Sequence, residues 1–211
     1  MHLAGCVGPV VRPGMNPTTI TIHGFAPSTY VRTVRMACVE KGLGHELAPL
    51  EFRAASHRAL HPFARMPALT SGEVHLWETL AILAWLDDHP DARGDAPRLL
   101  PSEPLARATT LQWVSAANDY VYADLVHELG GEGEAKGLRE RLREGLEVFA
   151  RGLGARPYFG GAEPSAADLV LCPMLAHAEA KQLDDPPWVG LEALAAWSRR
   201  MQDRPSFDAT R

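Results

Sequence analysis

The sequence predicts an α/β amino-terminal half joined to an all-α carboxy-terminal half. Three observations predict this. Residues 18–88 mix β-branched runs and helical periodicity in the order β-α-β-α-β-β-α. Residues 89–101 are rich in Pro, Gly, Asp and Ala and have no period, which marks a linker. From 102 to 211 only helical spacing of apolar residues is found. With 211 residues, 46% of them hydrophobic, both halves can bury a core.

Taken in order, residues 1–17 are Gly/Pro-rich and are expected to form a flexible extension, with Met15 an alternative start. Leu3-Ala4-Gly5-Cys6 mimics a lipoprotein cleavage box but lacks the basic segment and apolar run that such a signal needs. Thr18 to His23 alternates and is β-branched, hence a strand. Gly24 to Ser28 is a loop, and Ser28 is a natural N-cap for a helix over Thr29 to Lys41 that stops at Gly42. His45 to Leu50 reads as a second strand, parallel to the first through a right-handed crossover. Arg53 to Leu60 is polar and weakly helical. Arg65 to Leu69 then enters a third strand, with Pro67 on its threshold where the missing N–H does least harm. Ser71-Gly72-Glu73 is a turn and Val74 to Leu76 a fourth strand. From Glu78 the period becomes helical, through Leu80, Ile82, Leu83 and Leu86. Glu78 and Thr79 thus stand at a helix N-terminus, a place suited to a zwitterion.

After the linker, one long helix is expected over Glu103 to Leu129 and an amphipathic one over Glu134 to Leu153, with Leu138, Leu142, Leu146 and Phe149 on its apolar face. Ser165 and Asp168 form a capping box that opens a third, and Leu191 to Met201 gives a fourth. Net charge of −5 without a Lys/Arg run argues against nucleic acid as a partner. No apolar run reaches the ~20 residues of a membrane span. Cys6, Cys38 and Cys172 are scattered, without CxxC, which argues against a disulfide framework or zinc site and makes a reducing cytoplasm the expected location. Nine histidines show no metal-ligand spacing, so no metal is expected.

A proline before the third strand of such a unit is the signature of a thioredoxin-like fold. HGFAPSTYVRTVRMACVEKGL, HPFARMPAL and LWETLAIL closely resemble the amino-terminal domain of the glutathione S-transferases, and Phe159 to Asp168 resembles a phrase of that family's helical domain. The resemblance spans about residues 18 to 207 and points to a serine-type, theta-, phi- or beta-like bacterial member. His61 stands where the family usually has Asn and Ala64 where it has Gly; Thr79 replaces Ser and keeps the hydroxyl; Met66 replaces Val and keeps the backbone role.

The resemblance implies the following. Glutathione is the co-substrate. Ser28 occupies the catalytic position, where a hydroxyl donating to sulfur at a helix N-terminus favours thiolate over thiol; capping and thiol contact can coexist there, and Thr29 and Tyr30 are the neighbouring alternatives, Tyr30 rather a packed aromatic. Glu78 and Thr79 would hold the γ-glutamyl end. Met66 would pair with the cysteinyl backbone beside a cis Pro67. Arg65, His57 and Arg53 are candidates for the glycyl carboxylate, each of them equally readable as a solvated surface charge. The second substrate, a small electrophile, would lie against the helical domain, with Phe25, Trp113, Asn118, Tyr120 and Tyr122 as pocket candidates; for Trp113 core packing is the preferred reading. Asp168 reads as a structural cap, and Cys38 and Cys172 as inert core. The family also implies a homodimer. The alternative is a non-catalytic ligand- or partner-binding module on the same fold. Disulfide exchange ranks low, because no cysteine stands at position 28.

Overall fold

The computed structural model describes residues 19–131 and 135–211. The expected extension, the Met15 start and the beginning of the helix expected from Glu134 lie outside these residues. The amino-terminal half runs β1 (Ile20–His23), α1 (Thr29–Lys41), β2 (His45–Ala48), α2 (Ala55–Leu60), β3 (Ala68–Ser71), β4 (Val74–Trp77) and α3 (Thr79–Asp87), the order expected from the sequence. The four strands form one sheet in the order β2-β1-β3-β4. β1 pairs with β2 in parallel and with β3 antiparallel, and β3 with β4 antiparallel. Alternation explains β1: Ile20 and Ile22 are buried, whereas Thr21 and His23 are half-buried.

α1 is the central helix. Ser28 caps it with an extended backbone and accepts from the Val31 N–H at 3.4 Å. Gly42 ends it at φ 70°, the left-handed conformation that favours glycine. Gly24 permits the close entry into α1, since a Cβ there would stand 2.4 Å from Val31 Cγ2.

The carboxy-terminal half is helical: α4 (Pro104–Ala116), α5 (Leu138–Leu153), α6 (Ala166–Glu179), α7 (Glu192–Gln202) and the short α8 (Pro205–Asp208). The single helix expected over 103–129 is not regular. After Ala116 it widens into two π-helical segments, Ala117–Val121 and Ala123–Glu128. α5 buries the expected face, with Leu138, Leu142, Leu146, Phe149 and Leu153 all covered.

Three polar knots join the halves and close the core. Glu40 of α1 accepts from Arg204 Nε and Nη2, both at 2.7 Å, and from Ser206 Oγ at 2.6 Å, which docks α8. Asp87 accepts from Lys41 Nζ at 3.1 Å and from the Leu99 and Leu100 N–H groups at 2.8 and 3.0 Å, which fixes the linker. Asp168, fully buried, accepts from Phe159 and Gly160 N–H, Ser165 N–H and Oγ, and Trp197 Nε1. The capping box is therefore formed, and Asp168 also ties α6 to α7.

Two stability tests follow from these knots. Asp168→Ala leaves the Trp197 and backbone N–H donors buried without their acceptor, and should destabilise the protein by about 3 kcal/mol or more in urea unfolding. At Glu40, burial pushes the carboxyl up, but the bonds from Arg204 and Ser206 and the charges of Arg204 and Arg93 outweigh it and hold it below the ordinary glutamate range. A depressed carboxyl stabilises above its unfolded pKa of about 4.3, and that contribution fades as pH falls through the lower folded value. Wild type should therefore lose unfolding free energy more steeply than Glu40→Gln on going below about pH 4.3.

Candidate functional site

A cavity of about 920 Å³ opens where the amino-terminal half meets the π-helical segments. The β1–α1 connection and α1 contribute Phe25, Pro27, Ser28, Thr29 and Tyr30, and the loops before β3 contribute Phe52, His61, Arg65, Met66 and Pro67. The start of α3 gives Glu78, Thr79 and Leu80; the opposite wall is Asn118, Tyr122, Val126 and His127 with His177 of α6.

Ser28 is partly buried at the N-terminus of α1. Its oxygen accepts from Val31, which leaves its O–H to donate toward the cavity. The helix end adds a positive partial charge at the same point. A hydroxyl placed so can stabilise an anion such as a thiolate.

The Met66–Pro67 bond is cis, in agreement with the expectation, and both residues line the cavity. Glu78 stands at φ 71°, a left-handed backbone uncommon outside glycine, as the residue before α3. Such outliers cost on the order of 1–3 kcal/mol and concentrate at binding sites. Thr79 begins α3 beside it, so a carboxylate, a hydroxyl and free helix N–H groups face one space. Ala64, where the family pattern has Gly, lies at φ 49°, a backbone that favours glycine on physical grounds.

His57 and Arg53 depart from their expected places. His57 is buried, accepts the Arg53 N–H on Nδ1 at 3.0 Å and donates from Nε2 to the Arg65 carbonyl at 2.8 Å. It shapes the loop beneath the cavity instead of lining it. The Arg53 guanidinium lies over the Phe52 ring, 5.2 Å from its centroid. Of the three basic candidates only Arg65 lines the cavity.

The second-substrate candidates divide. Phe25 and Asn118 line the cavity. Trp113 does not: it is buried, packed on Phe149 and Phe159 with centroids at 5.1 and 5.2 Å. Tyr120, 77% exposed, points away as well. Trp113 belongs to the regular α4; beyond it helical spacing already sets 118, 122 and 126 on one side with 120 across from them, and the i→i+5 bonding adds 127 to that side. Tyr30, a neighbouring alternative to Ser28 read rather as a packed aromatic, lines the cavity too; its O–H donates to Asn118 Oδ1 at 2.9 Å and its ring centroid lies 4.6 Å from that of Tyr122. Burial, then Tyr122, Asp119 and Glu78, push the Tyr30 phenol up, so it stays a donor. Burial also raises Tyr122, against Arg65 and Thr29. Phe52, His61, Val126, His127 and His177 carried no sequence signal as site residues. Among the described residues no group of three or more His, Cys, Asp or Glu side chains is gathered to hold a metal ion, and no helix is long and apolar enough to cross a membrane.

Comparison with known proteins agrees with this geometry. The family model described as the amino-terminal domain of glutathione S-transferase matches residues 22–94, and that of the carboxy-terminal domain matches 112–200. A glutathione S-transferase of Silene vulgaris is 29% identical over 91% of this chain and 96% of its own. A stringent starvation protein A homolog of Pasteurella multocida is 26% identical over 89% and 88%. The structure of rice GST1, solved in complex with glutathione, superimposes with a TM-score of 0.79 at 25% identity, covering 93% and 91% of the two chains. With both halves matched in order and the cavity between them, the chain belongs to the glutathione S-transferase family.

Proposed function

We propose that the chain is a serine-type glutathione S-transferase that ionises the glutathione thiol at Ser28 and presents the thiolate to a small, mostly hydrophobic electrophile. One observation carries this reading: Ser28, Met66 beside cis Pro67, and the Glu78–Thr79 pair line one cavity. In the bound tripeptide the ammonium meets the Glu78 carboxylate, and the γ-glutamyl carboxylate meets the Thr79 hydroxyl and N–H. Met66 offers its backbone to the cysteinyl unit as an added strand would, and Arg65 takes the glycyl carboxylate. The thiol proton leaves to solvent, and the Ser28 O–H then donates to the sulfur anion. Sulfur bonds to the electrophilic carbon while the leaving group departs with its electron pair, or while a π pair shifts onto the acceptor. The chain's own work is thiolate formation and positioning.

The electrophile lies among Phe25, Tyr30, Asn118, Tyr122 and Val126. We assign the protein to the cytoplasm and to a homodimer, in keeping with the family. A second reading keeps the fold as a non-catalytic binding module; among the relatives is one named as a stringent starvation protein A homolog and not as a transferase.

Conjugation of a generic aromatic halide separates the two. Ser28→Ala should lower kcat about a hundredfold, the scale for removing one donor to a developing anion, with a smaller effect on the KM for glutathione. Normal glutathione binding with an unchanged rate in Ser28→Ala would exclude the serine mechanism. A wild type that binds no glutathione would favour the binding module. Glu78→Gln should raise the glutathione KM by about ten- to a hundredfold, the worth of one charge-assisted bond, and leave kcat comparatively unaffected.

A further inference from the structure

His61 is the one histidine of the loop region that lines the cavity while being almost wholly enclosed. Its side chain is 2% exposed, and its Nε2 stands 3.9 Å from Glu78 Oε1. Its Nδ1 is buried and has no hydrogen-bond partner among the described residues. The ring is held by Trp77 and Phe63, with centroids 5.3 and 6.3 Å away. It ends α2, where its N–H bonds to the His57 carbonyl at 2.8 Å. The ring is packed in place, and its Nε2 edge lies nearest the carboxylate that the proposed function gives to the ligand ammonium.

We propose that His61 is a positioning residue for ammonium capture: the neutral ring leaves Glu78 to the incoming amine, and a protonated ring competes with that amine for the same carboxylate. The inference rests on the reading of Glu78 as the γ-glutamyl contact. In the neutral form the proton belongs on Nε2, toward Glu78, because a proton on Nδ1 would be a buried donor without an acceptor. Protonation places hydrogens on both nitrogens. It therefore creates that orphan donor and sets a second cation within a few ångströms of the ammonium. Three ionisable groups face the ring: Glu78 from the start of α3, His57 from α2 and Arg65 from the loop before β3. Burial lowers the His61 pKa first, His57 and Arg65 lower it further, and Glu78 opposes them, so the ring is neutral near pH 7.

The signs follow. A glutathione ammonium at Glu78 disfavours the imidazolium, and by reciprocity the imidazolium disfavours glutathione. Like charges this close in a half-exposed site are worth an affinity about tenfold lower in the protonated state. Bound glutathione should then lower the His61 pKa by about one unit. The glutathione amine stays protonated and its carboxylates stay ionised between about pH 5 and 7, so the ligand adds no titration of its own.

The test is the glutathione dissociation constant by calorimetry across that pH range, for wild type and for His61→Gln, whose folding is checked by circular dichroism. The expected result is a several-fold weakening toward pH 5 in wild type and a nearly flat profile in His61→Gln. A flat wild-type profile, or the same fall in His61→Gln, overturns the proposal. NMR titration of the His61 ring in wild type alone gives a second readout that needs no variant: saturating glutathione should lower its pKa, and an unmoved pKa overturns the proposal. A wild type that binds no glutathione at any pH sinks the proposed function and this inference with it, whereas binding without pH dependence sinks only this inference.

Discussion

The burial of α1 between the sheet and the helical half is the constraint on which the rest depends. Val31, Val34, Met36, Ala37 and Cys38 are all fully enclosed, so α1 belongs to both halves at once. The contacts to the helical half run its length. Thr33 Oγ1 donates to the Leu169 carbonyl at 3.0 Å, the Arg32 guanidinium lies 3.7 Å from the Phe207 ring centroid, and Arg35 donates to the Thr210 carbonyl. Glu40 and Lys41 then hold α8 and the linker. A helix so fixed carries Ser28 at its N-terminus to a set place against the wall formed by Asn118 and Tyr122. Positional accuracy of this kind is what the proposed contact between Ser28 and a thiolate requires.

Charged groups do this fixing inside a core that penalises them. Asp87 and Asp168 are buried carboxylates with every visible acceptor direction used. Satisfied networks of this kind add little net stability over apolar packing, but loss of one member leaves several donors stranded. Asp168 therefore acts through the fold and not through the cavity. The apolar cysteines behave likewise: burial pushes the Cys38 thiol up to about 12, and Cys172 higher still, so neither competes as a thiolate.

Local signals made much of the fold legible. Ser28 and Gly42 bracket α1 because capping and left-handed glycine are short-range chemistry. The β-branched run at Ile20 and the proline before β3 act over a few residues too, as does the Ser165–Asp168 box. The cavity lining was legible where it is built from such ends: Ser28, Met66, Pro67, Glu78 and Thr79. It was opaque where side-chain direction depends on distant packing. Trp113 and Tyr120 share a helical run with Asn118, and only the packing of that run, with Trp113 against Phe149 and Phe159 and Tyr120 in solvent, leaves Asn118 alone of the three at the cavity. His57 and His61 differ by one turn, yet one is locked to two backbone groups and the other faces Glu78. His177 reaches the cavity from α6, far along the chain, and no local pattern announces that.

The proposed chemistry centres on one sulfur atom. The direct measurement is the ultraviolet absorbance of the thiolate in the complex with glutathione, titrated against pH. The bound thiol should show an apparent pKa well below the ~8.5 of a free thiol, because the Ser28 O–H and the α1 N-terminus both favour the anion. A bound thiol that titrates where free glutathione does would contradict it.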